Sequence, residues 1–74
     1  MSKQVLKKLP SGKPVPEDKE LIVFSCEQLG DFHYEDLSWF ENYALNKRNT
    51  SSDRAQIVRW DDFLRRVDIA INKF

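Results

Sequence analysis

The single histidine, His33, lies between Phe32 and Tyr34, and the single cysteine, Cys26, follows the apolar run Leu21-Ile22-Val23-Phe24. Nucleophilic catalysis would need Cys26 or a serine held within hydrogen-bond reach of that imidazole. The residues around them match no nucleophile motif. His33 therefore reads as a packing or surface residue and Cys26 as a small core residue. The adjacent acids Asp61–Asp62 and Glu35–Asp36 invite a glycosidase or metal reading. Sequence neighbours point in different directions on a helix, however, so such pairs do not converge on one atom. No segment has EF-hand, P-loop or zinc-ligand spacing, and one cysteine leaves no intramolecular disulfide. The expectation is a non-enzymatic chain with no catalytic, metal-binding or cofactor-binding residues.

Such a chain works by what it binds, and its elements decide which groups it can present. Its 74 residues predict one domain near the lower size limit for folding without a staple. Residues 1–19 are expected to form a partly flexible arm and a Pro-rich loop. The longest apolar run, Leu21–Phe24, is far short of the ~20 residues that cross a bilayer, and the first residues lack the apolar stretch of a signal peptide. A cytoplasmic location with no membrane contact is expected.

Residues 4–9 read as a weak strand or extended arm, and Pro10, Pro14 and Pro16 make the next stretch a loop. Residues 20–26 have the β-branched and aromatic centre of a strand, which would pair with 4–9 as a hairpin. From about 36 to 47 a helix is predicted, with Leu37, Phe40 and Ala44 on one face and Trp39 and Tyr43 on its flank. A second helix over about 53–73 starts at Ser52-Asp53. Its residues Ile57, Trp60, Leu64, Val67, Ile71 and Phe74 repeat at spacings of 3 and 4, a single apolar stripe broadened by Phe63 and Ala70. The fold class that follows is α+β: a short N-terminal strand pair or arm plus a C-terminal helix pair. Its core is expected at Phe40, Ile57, Trp60, Leu64, Val67 and Ile71. The stripe spans too few heptads for a sustained coiled coil, so a monomer is expected.

Charge is balanced in total and uneven in order. Residues 1–19 carry a net +3, residues 20–46 carry six acids with no Lys or Arg, and residues 47–74 return to +3. Either the basic flanks fold over the acidic middle as surface ion pairs, or part of the middle stays unpaired and faces a basic partner. Within the middle, residues 32–43 hold five aromatic rings interleaved with acids. They are either core and core edge or a protein-binding face, where Tyr and Trp concentrate binding energy. The residues read as partner-binding are Lys7, Lys8, Asp31, Tyr34, Glu35, Glu41, Tyr43, Arg48, Arg59 and Arg66.

The opening Met1-Ser2-Lys3-Gln4-Val5-Leu6-Lys7-Lys8-Leu9-Pro10, the aromatic-acidic middle and the Arg-rich closing helix together resemble small transcription regulators made by lytic phages of Xanthomonas. The resemblance spans the whole chain through its length and overall texture, with no short motif. It implies binding to the N-terminal part of the largest subunit of bacterial RNA polymerase, near the RNA exit channel. It further implies inhibition of σ-dependent initiation and antitermination, together with the elongation factor NusA and nascent RNA, in the host cytoplasm. Two other classes fit the residues: a DNA-binding repressor docking through helix 53–74, and a DNA mimic that inhibits another host enzyme.

Overall fold

The computed structural model describes residues 8–73. Four helices run in chain order: α1 (Asp18–Leu21), α2 (Cys26–Gly30), α3 (Tyr34–Thr50) and α4 (Arg54–Ile71). Helix accounts for 67% of these residues, with no strand or sheet among them, so the predicted α+β class is overturned. The one strand-like feature among the described residues is an isolated antiparallel bridge between Lys8 and Pro14.

Local chemistry explains the correction. Of the predicted 4–9 strand, residues 4–7 lie outside the described residues. Its remainder turns back on itself at once: Leu9 N–H donates to the Lys13 carbonyl at 2.8 Å and Gly12 N–H to the Leu9 carbonyl at 2.8 Å. Gly12 takes a φ of +96°, a conformation that costs a residue without a Cβ nothing. The predicted 20–26 strand is split between the end of α1, a turn and the start of α2. Ser25 accepts a hydrogen bond from Gln28 N–H while the Gln28 side chain accepts from Ser25 N–H. This reciprocal cap begins a helix where a strand would have continued. The Ile22 and Phe24 carbonyls, which would have faced a strand partner, are taken by Arg66 of α4.

The two long helices lie where the periodicity puts them, with wider or shifted ends. α3 is longer than the predicted 36–47, and α4 is capped by Asp53, whose side chain accepts from Ala55 N–H at 3.0 Å. α4 packs against α3 and, less extensively, α2. The core joins Leu9, Leu21, Leu29, Leu37, Phe40, Ala44, Trp60, Phe63, Val67 and Ala70. Of the predicted core, Phe40, Trp60 and Val67 are buried, whereas Ile57, Leu64 and Ile71 are half-buried along one edge. The deepest line of α4 is Trp60-Phe63-Val67-Ala70, so the helix is rotated toward Phe63. No helix among the described residues is long and apolar enough to cross a membrane.

Candidate binding surfaces

Aromatic chemistry settles the interior first. Phe24, Phe32 and Phe40 follow one another at centroid distances of 5.8 and 5.0 Å. Phe40 meets Phe63 at 6.3 Å and Phe63 meets Trp60 at 5.8 Å. Tyr43 stacks on Trp39 at 5.1 Å and meets Trp60 edge-on at 6.0 Å. Edge-to-face and offset contacts of this kind add to the stabilisation from burial itself. Four of the five rings in residues 32–43 therefore belong to the core or its edge, and only Tyr34 stands mainly in solvent.

Tyr43, read as partner-binding, is half-buried and committed within the fold. Its hydroxyl donates to Asp18, which also forms an ion pair with Lys47 at 3.1 Å. Burial raises the Tyr43 hydroxyl pKa above its usual value, reinforced by the hydrogen bond to Asp18 and that carboxylate's charge. The Asp18 hydrogen bond likewise raises the Lys47 pKa, with further contributions from the charges of Tyr43 and Asp18. This trio fastens the short α1 to the middle of α3.

Two of the proposed binding arginines are also turned inward. Arg48 pairs with Asp61 at 3.0 Å, joining α3 to α4. Arg66 donates through Nε to the Phe24 carbonyl at 2.8 Å, through Nη2 to the Ile22 carbonyl at 2.6 Å, and through Nη1 to Asp62 at 2.6 Å. The planar guanidinium is suited to this, because its fixed fork satisfies two carbonyls on one chain edge and a carboxylate together.

Beside Arg66 runs an open groove of about 560 Å³, lined by Ile22, Val23, Phe24, Ser25, Arg59, Asp62 and Arg66. Arg59 is exposed and makes no ion pair among the described residues. The groove thus joins an apolar wall to one uncommitted guanidinium. Of the other proposed contacts, Lys8, Asp31 and Glu35 are exposed, and Glu41 is half-buried beside Arg48 in a hollow between α3 and α4. Lys7 lies outside the described residues.

Ser11, His33 and Glu35 line one shallow hollow of about 240 Å³ with Pro10. No hydrogen bond joins any two of these side chains, so they form no relay of the Ser-His-acid kind. Among the described residues no group of three or more His, Cys, Asp or Glu side chains could hold a metal ion. Sequence reasoning missed Asp36, which is fully buried and holds the 9–13 turn by accepting from Ser11 N–H at 3.1 Å. Its second carboxylate oxygen has no hydrogen-bond partner among the described residues.

The electrostatic layout answers the question raised by the plus-minus-plus order. Ion pairs link Lys19 to Glu17, Lys47 to Asp18, Arg48 to Asp61 and Arg66 to Asp62. None involves an acid of residues 20–46, so among the described residues the flanks do not neutralise the middle. Glu27 and Asp31 on or beside α2 and Glu35 in the first turn of α3 are exposed and bear this uncompensated charge. On α4, Arg54, Arg59 and Arg65 are exposed and likewise outside any ion pair among the described residues. No family model matches the chain, and no curated protein or solved structure is similar enough to lend it a relative.

Proposed function

We propose that the chain is a non-catalytic, macromolecule-binding protein whose target is bacterial RNA polymerase, acting as an inhibitor of initiation and an antiterminator. The observation that supports a binding role is the charge left over after folding. The acids of residues 20–46 make no ion pair among the described residues, while three arginines of α4 are equally uncommitted. A molecule with zero formal net charge thereby offers a partner unpaired acids at the α2–α3 corner and unpaired arginines along α4, which steer and orient an encounter. The choice of polymerase rests on the whole-chain resemblance to phage transcription regulators. In this reading the acids at the α2–α3 corner meet basic subunit surface. Arg59 and the apolar wall of its groove, with Lys8, contact acidic surface or nascent RNA, and NusA is an accessory partner.

The test is co-migration of the purified protein with nucleic-acid-free bacterial RNA polymerase. One-to-one binding that weakens with salt is expected, because the screening length is only ~8–10 Å at ordinary ionic strength. Asp31→Lys with Glu35→Lys should slow association about tenfold or more while leaving the helical signal intact. No co-migration up to tens of micromolar, the range of weak contacts, would end the polymerase reading. Steeply salt-dependent binding to DNA alone would point instead to a repressor.

A further inference from the structure

The face of α4 that points away from the core carries a pattern that a charge map does not explain. Val58 and Ile69 are 60% and 49% exposed, two of the four large hydrophobic residues left in solvent among the described residues. Val58, Asp62, Arg65 and Ile69 follow at spacings of four, three and four, which sets them along one ridge of the helix. Arg65 has no ion pair among the described residues. Asp62 uses only Oδ2 toward Arg66.

This ridge is complementary to itself when reversed. A two-fold axis running beside α4, level with the midpoint between Phe63 and Leu64, sets Val58 level with Ile69 of a second copy, and Asp62 level with its Arg65. Each contact then occurs twice, as a two-fold interface requires. Arg54 and Lys73, level with each other at the two ends, fall about 100° apart around the helix and so lie on opposite flanks of the contact. A seat is also present. Val58, Asp61, Asp62 and Arg65 stand at i, i+3, i+4 and i+7, the four-residue frame that receives a knob from a facing helix. With Arg59 they enclose a surface hollow of about 290 Å³.

We propose that the outer ridge of α4 is the contact surface of an antiparallel homodimer of this chain, independent of any polymerase binding. One helix ridge offers less than the roughly 1,200–2,000 Å² buried by stable interfaces. The dimer is therefore transient, with a dissociation constant on the order of 0.1–1 mM.

Sedimentation velocity of the full chain up to about 1 mM, without polymerase, tests it. Concentration-dependent dimerisation is expected for the wild type and is lost on Val58→Glu with Ile69→Glu. Charge complementarity supplies the decisive arm. Asp62→Arg sets like charges level across the axis, and Arg65→Asp does the same with opposite sign, so each variant alone stays monomeric. Mixed one to one, the two variants restore opposite charges at both positions and form a heterodimer. Melting followed by circular dichroism identifies any variant that fails by unfolding. In that case Val58→Lys, which leaves the Asp62–Arg66 ion pair in place, carries the test. A wild type that stays monomeric up to about 1 mM overturns the proposal. So does a dimer that survives changes at Val58 and Ile69, or a mixture of folded charge variants that does not associate.

Discussion

Arg66 shows why the role of a single side chain was hidden. Its spacing of seven from Arg59 and from Lys73 marks all three as one basic flank of the helix. Which of them turns inward depends on carbonyls 42 and 44 positions earlier in the chain, and no local pattern carries that information. Asp36 is hidden for the same reason, since the N–H it accepts from, that of Ser11, lies 25 positions earlier in the turn around Gly12. Arg66→Lys keeps the charge but removes the fork. A lysine reaches one carbonyl and leaves another half-buried acceptor unsatisfied, at about 1–3 kcal/mol. Denaturant titration should show a loss in that range for Arg66→Lys and a comparable or larger one for Arg66→Ala. Near-wild-type stability in both would mean that water replaces the guanidinium at Ile22 and Phe24.

Among the elements, those with strong periodicity were legible and the short ones were not. The α4 register can be read from Ile57 to Ile71 because one apolar stripe repeats over many turns. In α1 and α2 there is no room for a repeat, and Leu21-Ile22-Val23-Phe24 has strand-like composition. The Ser25-x-x-Gln28 pattern was the available signal, and it specifies a helix start directly. The α1–α3 junction makes a separate prediction through Asp18, Tyr43 and Lys47. Tyr43 and Lys47 both hold their protons more tightly when folded. Their contribution to stability is therefore fully present below the ordinary Tyr and Lys values, about 10, and is lost as pH rises through the raised folded values. Thermal melts of the wild type should fall above about pH 10. Tyr43→Phe should be less stable at neutral pH and lose less on going alkaline. Parallel pH dependence in the two proteins would detach Tyr43 from this linkage.

At the scale of the whole molecule, the sequence identified the face of α4 that packs but not the depth of each residue on it. Periodicity weighs Ile57, Trp60, Leu64, Val67 and Ile71 alike. The structure separates them: Trp60 and Val67 are buried together with Phe63, whereas Ile57, Leu64 and Ile71 stay half-buried at the edge. The mutational ranking should follow depth. Trp60→Ala removes a ring that touches both Tyr43 and Phe63, leaving a cavity worth about 3–5 kcal/mol. Leu64→Ala removes a half-buried side chain whose site can fill with water, at roughly 1–2 kcal/mol. A domain of this size has only about 4–11 kcal/mol in total, so Trp60→Ala should leave much of the population unfolded at 37 °C while Leu64→Ala melts cooperatively a few degrees lower. Calorimetry of the two variants beside the wild type decides the matter. If Leu64→Ala is as damaging as Trp60→Ala, the α4 stripe packs through its predicted centre, and the rotation toward Phe63 is wrong.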